Sequence, residues 1–318
     1  MEPEPLSTSL VAAPLVAIVG PTGSGKTTLA LRVAESFSGE IVNCDSLQLY
    51  RGFDIGTAKT PVAGRGDTPH HLFDVLDPWN GYSAGEYARE ARAVIRGISG
   101  RGRLPVIAGG TGFYLKALLE GLPPLPERDP ALRDDLERRE ASRPGILHRL
   151  LRRLDTRAAS VIHPRDIQKL IRALEVRMLT RAVRPPSEIA EPLTGYRVLK
   201  IGLNPDRVEL AAVLDQRTQE MFQRGLLDEV RALLAGGCTG AEKPFESLGY
   251  KQAIAHLRGK LSLEDAIVST QDETRQYAKR QRTWFRRDPE IQWIDGFGHT
   301  ISSIEQCVGM VSEFLTLS

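Results

Sequence analysis

The chain has 318 residues, 41% of them hydrophobic and 26% charged, with a formal net charge of +2 at pH 7. That balance excludes a disordered or fibrous chain and leaves room for one large α/β domain with a smaller companion. A near-neutral total also means that any nucleic-acid role must come from where the basic residues sit. Three scattered cysteines, Cys44, Cys238 and Cys307, offer neither a disulfide framework nor a zinc-ligand spacing. The start, Met1-Glu-Pro-Glu-Pro, is acidic where a secretory signal is basic, and no apolar run approaches the ~20 residues that span a bilayer. A cytoplasmic protein with no membrane partner is expected, its residues 1–13 forming a disordered tail.

Leu10 to Val19 is an apolar run that stops at Gly20, the pattern of a buried parallel strand feeding a phosphate loop. A helix over about Thr27–Ser36 and a second strand over Glu40–Asn43, ending at Cys44-Asp45-Ser46, complete the first unit. Arg103 to Ala108 reads as another buried strand, ended by Gly109-Gly110-Thr111-Gly112, and a helix starts over Phe113–Leu119. Since ligands of open α/β sheets bind at the carboxyl ends of strands, the Gly20, Asp45 and Thr111 loops are expected to converge. The proline-rich Leu122–Pro126 breaks the pattern. A charged helical stretch follows from Asp129 to about Leu179, ended by Arg184-Pro185-Pro186, and Arg197–Leu203 returns as a strand. Helices dominate from Arg207, with turns at Gly236-Gly237 and Gly259, before a last strand over Ile291–Ile294. The domain reading is a core over 14–122 and 197–318 with a helical insertion over 123–196.

Gly20-Pro21-Thr22-Gly23-Ser24-Gly25-Lys26-Thr27 matches G-x-x-x-x-G-K-[ST] between a strand and a helix. Its amides and helix end receive phosphate charge, Lys26 neutralises further, and the Thr27 hydroxyl is a candidate ligand for Mg²⁺. The fold class expected is therefore α/β, a P-loop NTPase-like core with a parallel sheet and flanking helices. A P-loop does not name the reaction. The strand over Pro105–Ala108 ends in glycines where a nucleotide hydrolase would place a metal-binding Asp, which weakens a motor or switch reading. Asp45 is left as the carboxylate beside the loop: a metal ligand, a general base or a hydrogen-bonded cap.

A series of motifs in order resembles the tRNA dimethylallyltransferase (isopentenyl transferase) family. It runs from the P-loop through Asp45-Ser46-Leu47-Gln48-Leu49-Tyr50, Asp54-Ile55-Gly56-Thr57-Ala58-Lys59, His70-His71-Leu72, Asp77-Pro78 and Tyr82-Ser83. It continues with Gly109-Gly110-Thr111-Gly112-Phe113-Tyr114-Leu115, Leu118-Leu119-Glu120-Gly121-Leu122, His163-Pro164, and Gln168-Lys169-Leu170-Ile171-Arg172-Ala173-Leu174-Glu175. Leu248-Gly249-Tyr250-Lys251 and Thr274-Arg275-Gln276-Tyr277-Ala278-Lys279-Arg280-Gln281 with Thr283-Trp284-Phe285 close it. The chain departs at Gly23, where Ala is usual, and at Arg165 and Lys169, where Asn and Arg are expected; Lys169 keeps charge but loses the planar fork. No zinc-finger extension follows, so the resemblance implies the bacterial type, read here as a monomer.

The resemblance implies dimethylallyl diphosphate as donor, Mg²⁺ as metal and the adenosine 3′ of the anticodon of a tRNA as acceptor. Asp45 is then the general base for the adenine amine, and Arg217 the cation that joins the P-loop at the leaving group. In the family's geometry Thr22 hydrogen-bonds the reacting centre and Thr111 the flipped nucleotide; without it, a turn residue and a helix cap serve equally. Asp45, Ser46, Leu47 and Gln48 are implied to contact the tRNA, as are Arg133 and the run Gln168, Lys169, Leu170, Ile171 and Arg172 of the insertion. The last tRNA segment implied holds Lys279, Arg280, Gln281, Arg282 and Arg286. There, Arg275, Lys279, Arg282 and Arg286 fall on one helical face with no acid between Arg275 and Arg287, a candidate cationic stripe. The insertion adds Arg149, Arg152, Arg153, Arg157 and Arg165 against Asp155 and Asp166. His70, His71 and His163 read as core or turn histidines, not metal ligands. Two other classes stay open: a small-molecule or nucleotide kinase using Asp45 to activate a hydroxyl, and a non-catalytic RNA-binding NTP sensor.

Overall fold

A computed structural model describes residues 12–123, 125–180 and 190–317. Most of the expected tail and the proline turn at 184–186 therefore lie outside the described residues. Ala13, placed in that tail by the sequence, belongs to the first strand. The described elements run β1 Ala13–Val19, α1 Lys26–Ser36, β2 Gly39–Asn43, β3 His70–His71, α2 Ala84–Gly100, β4 Leu104–Ala108 and α3 Gly112–Glu120. Helices α4 Pro130–Ser142, α5 Ile146–Leu154, α6 Thr156–Val161 and α7 Ile167–Thr180 follow, then β5 Tyr196–Leu203, α8 Arg207–Gln223 and α9 Leu226–Ala235. The chain ends in α10 Tyr250–Leu257, α11 Leu263–Phe285, β6 Ile291–Ile294 and α12 Ile301–Thr316.

The chain divides into two compact units, one of residues 1–119 with 193–318 and one of 120–192. In the larger, six parallel strands lie in the order β3-β2-β4-β1-β5-β6. Leu15 to Ile18 of β1 are wholly buried, as a central strand covered on both faces requires. Val16, Ile18, Val106 and Ile201 pack with Leu29 and Val33 of α1 and with Cys307 and Val311 of α12. The order reverses direction at β1 and β4, so the loops after β1, β2 and β4 open on one crevice. Close backbone approach fixes those loops: a Cβ at Gly109 would sit 2.1 Å from the Cys44 carbonyl oxygen.

The smaller unit is a helical cluster around Leu136, Leu147, Leu151, Leu170, Ile171 and Leu174, none with exposed surface. This corrects the expectation that Leu170 and Ile171 touch RNA, because every fourth residue of α7 faces inward to supply the core. Glu175, also without exposed surface, accepts Arg133 at 3.0 and 3.1 Å, Arg172 at 2.6 Å and the Asp129 amide at 2.7 Å. Burial opposes its charge, yet the guanidinium and amide donors hold its carboxyl below the usual range. Its stabilisation is therefore full above the ordinary carboxylate pKa and lost as the pH falls through the depressed one. Replacing Glu175 by Gln is expected to loosen this unit by about 3 kcal/mol. The check is hydrogen exchange in α4 and α7, which should quicken while β1 and β4 stay protected.

Candidate active site

The P-loop leaves β1 at Gly20 and enters α1 at Lys26. Gly25, at φ 85°, holds the left-handed turn before the helix, and an added Cβ would lie 2.9 Å from the Gly298 amide nitrogen, so glycine is required there. Lys26 folds back, its Nζ donating to the Pro21 carbonyl at 2.7 Å. Burial pulls its pKa down to about 8, Asp45 counteracts this, and Arg217 adds to the lowering. Lys26, Asp45 and Arg217 thus share one electrostatic neighbourhood. Thr27 is exposed on the first turn of α1.

Asp45 is held by its own turn. Its Oδ1 accepts the Leu47 amide at 2.9 Å, and its amide donates to Asn43 Oδ1 at 3.0 Å. Asn43 is anchored in turn to the Leu72 carbonyl at 2.8 Å. Thr111 secures the residues on either side: its amide donates to the Cys44 carbonyl at 3.1 Å, and its Oγ1 accepts the Ser46 amide at 3.1 Å. Arg217, on α8, reaches the P-loop with Nη2 donating to Thr22 Oγ1 at 2.9 Å. Among the described residues its Nε is buried without a hydrogen-bond partner, as is Ser24 Oγ in the loop itself. Two orphaned polar atoms at a phosphate loop point to a polar ligand.

Thr22, Asp45 and Arg217 line one cavity of about 510 Å³. Tyr50, Tyr82, Tyr114, Tyr277 and Met221 line it too, giving the cavity an aromatic lining beside its charged groups. Burial raises the hydroxyl pKa of Tyr82, Tyr114 and Tyr277, keeping these rings neutral. All four tyrosines stand inside motifs quoted from the sequence, yet only Tyr277 was read there as an aromatic for packing or stacking. Gln48 donates to the Thr57 carbonyl at 3.0 Å, bracing the Asp54–Lys59 turn, whose Gly56 and Thr57 also line the cavity.

The final basic segment differs from the expected stripe. Arg275 is ion-paired with Asp215 and Asp272. Arg282 is buried, its guanidinium donating to the Pro205 carbonyl and, at 2.9 Å, to Asn204. Gln281 is buried as well, 5% exposed, and bonded to two loops. These corrections share one cause: one face of α11 is buried against α8, α10 and the loops after β1, β4 and β5, so its wheel carries a structural face as well as an exposed one. Lys279, Arg280 and Arg286 remain exposed, as do Gln168 and Lys169 on α7, Lys169 paired with Asp166 at 2.6 Å. His71 pairs with Glu40 at 2.6 Å and His70 with the Thr68 carbonyl at 2.7 Å, both in β3.

The family model described as IPP transferase matches residues 48–288. The chain belongs to the IPP transferase family. It is 58% identical to a tRNA dimethylallyltransferase of Solibacter usitatus over 95% of this chain and 99% of the relative. A tRNA dimethylallyltransferase of Koribacter versatilis is 51% identical over 93% of this chain and 97% of its own. Among solved structures, the tRNA isopentenylpyrophosphate transferase of Bacillus halodurans superposes with a TM-score of 0.71 at 35% identity, covering 94% of this chain and 96% of that one. As a member of the IPP transferase family the protein is a prenyl-transferring enzyme, and the α/β parallel-sheet class read from the sequence holds. Among the described residues no helix is long and apolar enough to cross a membrane.

Proposed function

We propose that the protein is a tRNA dimethylallyltransferase that moves the dimethylallyl group of dimethylallyl diphosphate to N6 of the adenosine 3′ of the anticodon. One observation carries this reading: the phosphate loop, its partner Arg217 and the carboxylate Asp45 face a single cavity with an aromatic wall. The diphosphate binds at the P-loop amides, Lys26 and Arg217, and the dimethylallyl chain lies along the tyrosines. As the bond from the allylic carbon to the bridging oxygen breaks, negative charge collects on the leaving group beside Arg217 and positive charge on the allyl group beside neutral aromatic faces. A bond forms from N6 to that carbon, and Asp45 takes the N6 proton. Mg²⁺ fits an oxygen donor of the loop: the Thr27 hydroxyl is a hard ligand of the type that would hold this ion together with phosphate oxygens. When bound, it neutralises leaving-group charge.

The smaller unit is assigned to tRNA on its exposed cations. Arg149, Arg152 and Arg153 of α5 point outward while Leu147 and Leu151 of the same helix fill the core. Changing Arg152 and Arg153 together to Ala is expected to raise KM for tRNA several-fold with kcat kept, and to flatten the salt dependence of binding by ~2 in log–log slope. Kinetics across a salt series check it.

The deciding experiment is mass spectrometry of tRNA lacking the modification after incubation with the protein, Mg²⁺ and dimethylallyl diphosphate. A prenyl mass on adenosine is the expected result. Turnover of ATP without RNA would select the kinase instead, and nucleotide-dependent RNA binding without a covalent product the NTP sensor.

A further inference from the structure

The donor cradle and the proposed base belong to different loops. Thr22 sits in the β1–α1 loop, whereas Asp45 follows β2 and is steadied by Thr111 in the β4–α3 loop. Transfer needs the allylic carbon and N6 at reacting distance, so the two loops must hold a fixed spacing. One side chain joins the cradle to the β4–α3 loop that steadies the base. The Thr22 amide donates to Gln281 Oε1 at 2.7 Å, and Gln281 Nε2 donates to the Gly110 carbonyl at 2.9 Å.

On the strength of the proposed reaction, we infer that Gln281 is a positioning residue that pins the diphosphate cradle to the β4–α3 loop, which in turn holds the residues flanking Asp45. The requirement is chemically narrow. An N–H on one loop needs an acceptor and a carbonyl on the other needs a donor, which a carboxamide supplies at once and a carboxylate does not. Access is just as narrow: a Cβ at Gly110 would lie 2.2 Å from Gln281 Nε2, so the amide reaches this carbonyl because residue 110 is glycine. From Gly110 the linkage continues through Thr111 to Cys44 and Ser46, the residues flanking Asp45. From Thr22 it continues to Arg217. One turn before Gln281 on α11, Tyr277 lines the cavity. The same stretch of helix thus shapes the reaction chamber and ties its two ends. Gln281 is accordingly a tie between loops and not an RNA contact.

The test compares wild type with Q281E and Q281M in prenyl transfer from dimethylallyl diphosphate to unmodified tRNA. Glutamate keeps the acceptor for Thr22 and loses the donor to Gly110, while methionine keeps the length and suits the buried site without either bond. Both are expected to lower kcat by about 10²-fold with KM for tRNA within a few-fold. Exchange of the Thr22 amide hydrogen should quicken in Q281M. If Q281E fails to fold, Q281M decides alone. A raised KM for tRNA with kcat intact would return Gln281 to RNA binding, and unchanged kinetics would reduce it to filling space; either overturns the inference. Wild type that transfers no prenyl group fails the proposed reaction instead, and slow exchange at Thr22 in Q281M then overturns the tie itself.

Discussion

Replacing Asp45 by Asn is expected to slow prenyl transfer by about 10²- to 10⁴-fold while donor affinity near pH 7 changes little. Asparagine is the informative choice because it keeps the turn. The side-chain oxygen that accepts the Leu47 amide at 2.9 Å survives the change, as do the Asn43 and Thr111 contacts on either side. What is lost is the second carboxylate oxygen and its charge, and an amide nitrogen in that place donates where a base must accept. A second readout separates charge from basicity. Asp45 raises the pKa of Lys26 against the burial that pulls it to about 8. Lys26 keeps its charge below that value, so donor affinity of the free enzyme should weaken as the pH climbs through about 8. In the Asn variant that limb should begin at lower pH, since the counteracting charge is gone. Rates for a purely structural Asp45 would recover in the Asn variant, and full activity there would refute the role of base.

The same residues show what could be read from the chain alone. β4, β5 and β6 begin and end within a residue of the expected spans, because buried parallel strands are short apolar runs punctuated by glycine or a polar turn. The loops at their carboxyl ends were legible for a related reason: a glycine that permits close backbone approach, such as Gly109, is visible as a letter. Strand β3 was not, as two residues have no period. Helix α2 was missed even though Ser83 and Glu86 form a capping box that the letters display. Helix α12 was missed too, with Ile301, Ile304, Cys307 and Val311 in helical register behind the Thr300 cap.

Failures at the site have a different origin. Arg275 and Arg282 looked like parts of an RNA-facing stripe because a helical wheel shows which residues share a face, not which face is covered, and Gln281 was drawn in by the family segment around it. Apart from Asp272, one turn from Arg275, the partners Asp215, Pro205, Thr22 and Gly110 lie from 60 to 259 positions away, and no local pattern encodes such a pairing. Leu170 and Ile171 were drawn into the RNA segment by the motif around them, although their apolar character pointed to the core they occupy. Motif membership locates a segment, whereas chemistry assigns each side chain within it.

Changing Arg217 to Ala is expected to cost about 10²- to 10³-fold in kcat/KM, with the loss divided between a higher KM for the donor and a lower kcat. Guanidinium burial is unfavourable, and here it lowers the Arg217 pKa with Asp45 as the opposing charge. An arginine still stays charged. A buried cation whose Nη2 meets a neutral hydroxyl at 2.9 Å and whose Nε meets nothing is incompletely compensated, and a diphosphate supplies the missing acceptors. That is why the effect should reach kcat: the charge Arg217 faces grows as the allylic bond breaks, so its interaction strengthens toward the transition state. Arg217→Lys should recover only part of the rate, since an ammonium keeps the charge but cannot span Thr22 and the leaving group as a fork. Thr22→Val provides the control. It removes the hydroxyl tether and leaves the cation, so if tethering were the whole role of Arg217 the Ala and Val variants would fall equally, whereas a leaving-group cation predicts the deeper loss for Arg217→Ala. Equal losses in steady-state kinetics would therefore reject Arg217 as the charge that stabilises the departing diphosphate.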